Sequence, residues 1–129
     1  MIVDTSAIIA ILAAEPDADR YRQAIVRHEV KTSAASYLEA SIVLDRRGSV
    51  ELSAELDRFL SWARATIEPV SATQARIARR AYQEFGRGSG HPARLNFGDC
   101  FSYALSKDTA EPLLFKGTDF ARTDVLVAG

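Results

Sequence analysis

Short apolar segments alternate with longer segments of helical periodicity along this chain, and this alternation restricts its fold more than any other feature. The strand-like segments are residues 2–3, 30–33, 67–70 and 112–115, and residues 125–127 are a candidate for a last strand. Parallel strands need crossover connections of about a dozen residues or more, which helices commonly supply. The chain is therefore predicted to be one α/β domain, residues 1–129, with a mainly parallel sheet.

Six helices are predicted between and after these strands. The first follows Asp4, with Thr5 or Ser6 suited to cap it, and Asp17 is suited to cap the second. The third is expected from Ala34 to about Arg47, where Gly48 stops it. The remaining three are expected near residues 52–63, near residues 71–82 and from about residue 97.

Composition excludes several function classes. The chain has 16 Lys and Arg against 17 Asp and Glu, so no overall positive field favours nucleic acid, and such binding would need a local basic patch. The N-terminus lacks the basic region of a signal peptide, and no apolar run approaches the roughly 20 residues that span a bilayer. The single cysteine, Cys100, cannot form an internal disulfide, so a reducing, cytoplasmic location is expected.

Four acidic residues lie beside the ends of the predicted strands. Asp4 ends the first strand, and Asp119 follows the fourth within a few residues. Glu39 lies in the first turns of the helix that leaves the second strand, and Asp99 begins the helix that leads into the fourth. Sites in open parallel sheets form at the carboxyl ends of the strands. We therefore expect the four carboxylates to converge at this edge.

Converging acids with no basic partner indicate a site for a hard divalent cation. Carboxylates that lie close together repel one another, which raises their pKa values, and a bound cation removes that cost. Oxygen ligands favour Mg²⁺ or Mn²⁺ over zinc, and Mg²⁺ usually keeps several waters while binding one or two carboxylates directly. Such an ion can activate water for attack on a phosphodiester and stabilise the leaving oxygen.

Each acid also has a simpler explanation. Asp4 and Asp99 are suitable helix caps, and Asp119 is a suitable turn residue. Glu39 can face solvent, because acids in an apolar helix are seldom buried without a partner. Any one acid is weak evidence for a metal site, and their joint placement is stronger evidence.

Four segments carry a resemblance to a known family. In chain order they are Ile2-Val3-Asp4-Thr5-Ser6-Ala7, Ser36-Tyr37-Leu38-Glu39, Leu95-Asn96-Phe97-Gly98-Asp99-Cys100 and Leu113-Leu114-Phe115-Lys116-Gly117-Thr118-Asp119-Phe120. With these segments the chain resembles the PIN-domain ribonucleases, specifically the VapC toxins of bacterial toxin–antitoxin pairs. The resemblance covers nearly the whole chain. The opening aspartate is only modestly specific, whereas the segments around Asp99 and Asp119 are much more so.

The resemblance implies a fold, an activity and a role for each acid. The fold would be a PIN-like α/β/α sandwich with a mainly parallel central sheet, and the activity would be Mg²⁺- or Mn²⁺-dependent endoribonuclease cleavage of RNA by a toxin. Asp4 and Asp99 would be the principal metal ligands. Glu39 and Asp119 would complete the catalytic site, through water or by positioning a second ion. Asp124 would be an outer acid of the site or a surface residue.

The resemblance also implies partners. A cognate VapB-type antitoxin would cover the acidic groove with its C-terminal segment, often with a basic side chain that reaches the carboxylates. An arginine can replace the charge of the metal and pair with a carboxylate through two hydrogen bonds. A homodimer and a heteromeric complex with the antitoxin are expected, and no membrane association is expected.

Candidate substrate contacts lie near the acids in sequence. Hydroxyl contacts are implied for Thr5, Ser6 and Thr118. The basic candidates for the RNA backbone are Arg87, in the glycine-rich loop of residues 86–92, with Arg94, Lys116, Arg79 and Arg80. For each basic residue alone, a solvated charge is the favoured explanation, and only as a group beside the acids do they suggest RNA binding.

Three other functions are weaker alternatives. A catalytically inactive PIN-like binding or regulatory domain is disfavoured because all four acids are present. A DNA-directed nuclease of the same broad fold is disfavoured by the small size of the chain. A phosphatase on another α/β fold would normally have a phosphate-binding loop or a nucleophile motif after the first strand, and Asp4-Thr5-Ser6 offers little of either.

Overall fold

The predicted strands form one parallel sheet in a computed structural model, which describes residues 1–47 and 50–129. The strands are β1 (Ile2–Val3), β2 (Lys31–Ser33), β3 (Thr66–Glu68) and β4 (Leu113–Leu114). Their order in the sheet is β3-β2-β1-β4, and every neighbouring pair is parallel. The predicted α/β class with a parallel sheet is therefore confirmed.

The helices follow the predicted segments closely. They are α1 (Thr5–Leu12), α2 (Ala18–Val26), α3 (Ala34–Arg46), α4 (Val50–Trp62), α5 (Ala72–Phe85) and α6 (Phe97–Thr109), followed by a short 3₁₀ helix, Phe120–Arg122. Side chains cap four of them: Asp4, rather than Thr5 or Ser6, caps α1 by accepting a hydrogen bond from the Ser6 amide, and Ser33, Ser71 and Asn96 cap α3, α5 and α6. Asp17 precedes α2 but its side chain makes no capping hydrogen bond, and the predicted stop at Gly48 lies outside the described residues.

Two apolar cores pack on opposite faces of the sheet. Successive side chains of a strand point to opposite faces. Val3 accordingly packs with residues of α1 to α4, whereas its neighbour Ile2 packs with residues of α5 and α6. Leu114 and Leu113 divide between the same two cores. Helices therefore cover both faces, which makes the domain an α/β/α sandwich.

The predicted last strand, residues 125–127, is not formed. Val127 makes only an isolated bridge with Leu113, supported by hydrogen bonds from the Leu113 amide to the Leu126 carbonyl (2.8 Å) and from the Ala128 amide to the Leu113 carbonyl (2.9 Å). The segment lies at the outer edge of the sheet, where Leu126 and Val127 are each 60% exposed. It therefore lacks the burial that would extend the pairing.

The strand order places a crevice beside β1. The chain builds β1, β2 and β3 in one direction and then returns to place β4 on the other side of β1. In open α/β sheets, such a reversal leaves a crevice outside the carboxyl ends of the strands, where ligands bind. No helix among the described residues combines the length and the apolar character needed to cross a membrane.

Candidate active site

Asp4 stands at the carboxyl end of β1, in the crevice beside β4, and is only 3% exposed. Its Oδ2 accepts hydrogen bonds from the Ser6 amide (3.0 Å) and the Ser6 hydroxyl (2.7 Å). Its Oδ1 accepts a hydrogen bond from the Ser102 hydroxyl of α6 (2.5 Å). Asp4 is therefore a helix cap, as the simpler explanation had it, but it is also a buried acid held by a second helix.

Asp99 is held in the first turn of α6 by a capping box. The Asn96 amide donates to Asp99 Oδ2 (2.9 Å), and the Asp99 amide donates to Asn96 Oδ1 (2.8 Å). These reciprocal hydrogen bonds satisfy two amides that a helix start leaves without partners. Asp99 Oδ1 makes no hydrogen bond within the described part of the chain, so one carboxylate oxygen stays free.

Glu39 of α3 is half-buried and lies against the start of α6. A Cβ atom placed on Gly98 would lie 2.0 Å from Glu39 Oε2, which means that the carboxylate occupies the space a side chain would fill. The Thr5 side chain of α1 lies beside Glu39 and lowers the pKa of its carboxyl. The absence of a side chain at Gly98 therefore lets an acid of α3 lie beside Asp99.

Asp119 is the most exposed of the four acids. It precedes the 3₁₀ helix and makes no side-chain capping hydrogen bond. It nevertheless lies close enough to Asp99 for its charge to raise the pKa of that residue. The structure thus brings all four predicted acids to the carboxyl edge, with Asp119 at the rim.

The electrostatics of the edge disfavour negative charge. Burial raises the pKa of Asp99 to about 6 despite the hydrogen bond from Asn96, and the charges of Asp4, Asp119 and Glu39 add to the rise. Burial also raises the pKa of Glu39, and the neighbouring Thr5 side chain partly offsets this rise. In the described ranges, none of the four acids forms an ion pair with Lys, Arg or His.

The donor set suits a hard cation that retains part of its water shell. Among residues 1–47 and 50–129, no three Asp, Glu, His or Cys side chains are placed so that they could enclose a metal by themselves. Both histidines are engaged elsewhere: His28 Nδ1 lies 2.7 Å from the Ala24 carbonyl, and His91 Nδ1 accepts from the Ala93 amide. Oxygen ligands from one or two carboxylates, completed by water, match the preference of Mg²⁺.

The predicted hydroxyl contacts are occupied within the protein at two of three positions. The Thr5 hydroxyl donates to the Ser36 carbonyl (3.1 Å). The Ser6 hydroxyl donates to Asp4 and accepts from the Lys116 amide (2.9 Å), so it joins the ends of β1 and β4. Thr118 is exposed, and its hydroxyl has no hydrogen-bond partner among the described residues.

The five predicted basic contacts divide into one paired side chain, Lys116, and four exposed side chains with no ion pair among the described residues, which are Arg79, Arg80, Arg87 and Arg94. Lys116 Nζ forms an ion pair with Glu15, which raises the pKa of Lys116. The Arg87 and Arg94 side chains are exposed and have no ion pair within the described ranges. They can therefore contact a polyanion without first breaking an internal interaction.

The glycine-rich loop, residues 86–92, is anchored beside the acidic edge. The Arg87 amide donates to the Leu95 carbonyl (2.9 Å), which ties the loop to the start of α6. Arg122 of the 3₁₀ helix donates to the Pro92 carbonyl (3.1 Å), which ties it to the segment after Asp119. Arg87 therefore projects from a loop connected to the segments that carry Asp99 and Asp119.

Asp124 does not belong to this edge. It accepts hydrogen bonds from the Tyr103 hydroxyl (2.6 Å) and from Lys107 Nζ (3.0 Å), both on α6. These partners lower its pKa against the effect of burial. The surface alternative for Asp124 is therefore the one observed.

Sequence reasoning missed four residues that hold the acids in place: Ser36, Asn96, Gly98 and Ser102. Ser36 lies three residues before Glu39 on α3, and Ser102 lies three residues after Asp99 on α6. Residues three apart share one face of a helix. A search for polar residues three positions from each acid would therefore have found both serines, whereas the contact of Gly98 with Glu39 joins two helices and leaves no local signal.

Residues 1–126 match the PIN domain family. Two curated relatives come from Mycobacterium tuberculosis (strain ATCC 25618 / H37Rv). Ribonuclease VapC28 is 58% identical over 126 residues, which cover 97% of this chain and 95% of that protein. Ribonuclease VapC42 is 49% identical over 126 residues, which cover 97% of this chain and 96% of that protein.

Solved structures share the fold at much lower identity. The chain resembles Mycobacterium tuberculosis VapC20, described as a sarcin-ricin loop cleaving toxin, with a TM-score of 0.75 and 18% identity over 99% of this chain and 98% of that one. It also resembles VapBC2 from Rickettsia felis, bound to a DNA fragment from its promoter, with a TM-score of 0.75 and 16% identity over 98% of this chain and 94% of that one. At these identities the likeness concerns the fold alone.

Proposed function

This chain belongs to the VapC ribonucleases of the PIN-domain family, and we propose that it is a Mg²⁺- or Mn²⁺-dependent endoribonuclease, the toxin of a toxin–antitoxin pair. The observation that carries the metal dependence is the group of four acids around Asp99, with no cation paired to them in the described part of the chain. We take residues 1–129 as the nuclease domain, and we expect it to act on RNA in the cytoplasm.

We assign the acids distinct roles from their settings. Asp4 and Asp99 are the direct metal ligands, because both are held rigidly by hydrogen bonds at the crevice. Glu39 and Asp119 act through water, since one is held against Gly98 and the other lies at the exposed rim. When bound, the ion would lower the pKa of a coordinated water and stabilise the leaving oxygen of the phosphodiester.

Thr5 and Ser6 position the site in this proposal rather than contact substrate. Their hydroxyl groups are occupied by the Ser36 carbonyl, Asp4 and the Lys116 amide. Thr118, Arg87 and Arg94 are exposed and available to RNA, whereas Lys116 would first have to leave Glu15. The loop of residues 86–92 would then present Arg87 to the RNA backbone.

Arg87 of the loop and Arg94, two residues after it, have a test of their own. Replacing Arg87 and Arg94 together by alanine should raise KM several-fold. The slope of the logarithm of the RNA-binding constant against the logarithm of the salt concentration should also become shallower by about 1 for each phosphate that is no longer neutralised. The matched control removes two arginines of α2 and its C-terminal end, Arg20 and Arg27, for the same change in net charge. Equal behaviour of the two double variants would exclude the loop from substrate binding.

A VapB-type antitoxin is the proposed inhibitor. The acids that lack a cation partner would accept a basic side chain as readily as a metal ion, because an arginine can supply charge and two hydrogen bonds together. Inhibition should then weaken as the concentration of Mn²⁺ rises at a fixed antitoxin concentration. Inhibition that does not respond to metal concentration would place the antitoxin away from the acids.

A second copy of the chain is the proposed occupant of the exposed apolar face formed by α3, α5 and α6. Leu38 is 58% exposed, Phe97 is 78% exposed and Tyr82 is 44% exposed, and contiguous exposed apolar surface commonly marks an interface. Phe97→Glu should shift the mass measured by light scattering from dimer to monomer. Trp62→Glu, at an exposed aromatic of α4, is the control.

RNA cleavage by purified protein freed of antitoxin tests the central proposal. Cleavage should require Mg²⁺ or Mn²⁺, stop with EDTA, and fall by more than about 100-fold in Asp4→Ala and Asp99→Ala, since losing even an outer-shell partner of a metal ligand costs about 10–100-fold. Asp124→Ala should retain activity, because Asp124 binds Tyr103 and Lys107 instead.

The outcomes separate the proposal from its main alternative. Cleavage that survives EDTA or both substitutions would place the chemistry elsewhere or identify a contaminant. A folded protein that binds Mn²⁺ and antitoxin but cleaves none of a panel of transfer, ribosomal and messenger RNAs would favour the inactive binding or regulatory domain.

A further inference from the structure

Two buried serines link α3 and α6 to the acid at the end of β1. Ser102 is fully buried, and its hydroxyl lies 2.5 Å from Asp4 Oδ1. Ser36 is 1% exposed, and its hydroxyl lies 3.0 Å from that of Ser102. Both serines help to hold Asp4 in place, but neither has yet been given a part in metal binding or in substrate binding.

The direction of these hydrogen bonds follows from the number of protons. An ionised carboxylate only accepts hydrogen bonds, and a hydroxyl has one proton to donate. Asp4 must be ionised to bind a metal. Ser102 therefore donates its proton to Asp4, and Ser36 must donate to the oxygen of Ser102. The hydrogen bonds run in one direction, from Ser36 through Ser102 to Asp4.

The same count shows which oxygen of Asp4 can bind a cation. A carboxylate has about four acceptor positions, two on each oxygen. The Ser6 amide and the Ser6 hydroxyl fill both positions of Oδ2, and Ser102 fills one of Oδ1. The one position that remains is on Oδ1, the atom to which Ser102 donates.

We propose that Ser102 is a positioning residue for the metal ion, which orients Asp4 so that the remaining lone pair of Oδ1 faces the ion, while Ser36 holds the Ser102 hydroxyl in place. This inference rests on the proposed metal dependence. Asp4 then binds the ion through Oδ1 alone. Partners of this kind fix the orientation of metal ligands, and their loss typically weakens metal affinity by about 10–100-fold.

The rival explanation is that Ser102 only satisfies a buried hydrogen bond, and Ser106 provides the control for it. Ser106 lies one turn further along α6 and is 2% exposed. Its hydroxyl donates to the Glu111 carbonyl (2.7 Å) and contacts none of the four acids. Ser106→Ala therefore removes a buried serine hydroxyl from the same helix and leaves the acidic edge unchanged.

The experiment measures the Kd for Mn²⁺ by calorimetry on the full chain freed of antitoxin. Wild type, Ser102→Ala, Ser36→Ala and Ser106→Ala are compared after circular dichroism has shown each to be folded. Ser102→Ala should raise the Kd by about 10–100-fold and Ser36→Ala by less, while Ser106→Ala should match wild type. In RNA cleavage, Ser102→Ala should raise the half-saturating Mn²⁺ concentration, with a rate at saturating metal that approaches that of wild type.

When every variant folds, three results would overturn the inference. One is a Kd for Ser102→Ala within about twofold of wild type, and another is an equal loss in Ser102→Ala and Ser106→Ala. If Ser102→Ala does not fold, Ser36→Ala decides: a several-fold higher Kd than Ser106→Ala supports the inference, and an equal Kd overturns it. The third is a wild-type protein that binds no Mn²⁺, which contradicts the proposed function itself and can be told apart because all variants then behave alike.

Discussion

The two edges of the sheet hold carboxylates in opposite electrostatic settings. At the amino edge, Glu111 accepts hydrogen bonds from the Met1 amine (3.0 Å) and Lys31 Nζ (2.8 Å). Burial alone would raise its pKa, but these two cations lower it to about 2. At the carboxyl edge, burial and three neighbouring acids raise the pKa of Asp99 to about 6.

In the proposed function, this difference separates an acid that stabilises the fold from one that binds the metal ion. Glu111 joins the starts of β1 and β2 to the segment before β4, and its charge is fully compensated. Asp99 has no compensating cation in the part of the chain that the structure describes, so its charge destabilises the metal-free protein. Acids left in such a state cluster at functional sites.

The largest effect is expected for Gly98→Ala at the carboxyl edge, which should lower RNA cleavage and leave stability nearly unchanged. Gly98→Ala would place a Cβ atom where Glu39 Oε2 lies, and the flexible carboxylate would have to move. RNA cleavage should fall by about 10–100-fold, while the melting temperature changes little. The double variant Gly98→Ala/Glu39→Ala is the control, because it should be no less active than Glu39→Ala alone. A further loss in the double variant would mean that Gly98 acts through something other than Glu39.

Neutralising the amino-edge acid should have the opposite outcome. Glu111→Gln removes the charge that pairs with Met1 and Lys31, and the free energy of unfolding should fall by about 2 kcal/mol, the usual value for hydrogen bonds to charged groups. Metal binding should be unaffected. Denaturant unfolding and Mn²⁺ calorimetry on one preparation would check both. A change in Mn²⁺ affinity would show that the two edges are coupled.

The equivalent change at the carboxyl edge should stabilise the metal-free protein. Asp99→Asn removes an uncompensated, half-buried charge, and the gain at pH 8 should be about 1 kcal/mol. With Mn²⁺ present the order should reverse, because only the wild type gains stability from the bound ion. Thermal melts in EDTA and in Mn²⁺ measure the difference in melting temperature between Asp99→Asn and wild type under each condition. A variant less stable than wild type in EDTA would indicate that the capping box needs the charge of Asp99.

The smallest expected effect is the pH dependence of stability, to which Asp99 and Glu111 contribute with opposite signs. The pKa of Asp99 is about 6 in the folded protein and 3.8 in the unfolded chain. Between these two pH values the folded state binds one more proton than the unfolded state. The stability of the metal-free protein therefore rises as pH falls from about 7 to about 4. Glu111 has the opposite sign: its folded pKa lies near 2 against 4.5, so its contribution is lost as pH falls from about 5 towards 2. Melting temperatures in EDTA should therefore pass through a maximum between pH 4 and pH 5.

Substitution of each acid shows which part of the pH dependence of stability it causes. Asp99→Asn should flatten the melting curve between pH 5 and pH 7, and Glu111→Gln should flatten it below pH 4. A wild-type stability that rises steadily from pH 4 to pH 7 would contradict the environment described for Asp99.

Local patterns in the sequence were sufficient to predict the architecture, and they also selected the four acids that the proposed function uses. The alternation of strands and helices predicts the parallel sheet, and a strand followed at once by Asp4 predicts both a helix cap and a position at the carboxyl edge. The pattern failed at residues 125–127, because an apolar run at the edge of a sheet does not reveal whether enough surface is buried to complete a strand.

The tertiary structure decided how the acids are held. Ser102 reaches Asp4 across 98 positions of sequence, Glu39 fits against Gly98 of another helix, and Glu111 gains its cations from the starts of two strands. Helix periodicity depends on neighbours within a few residues, so the sequence alone determined it, whereas the expected cap at Asp17 did not form. Contacts between distant helices depend on how the helices pack across the sheet, and only the folded chain defines that.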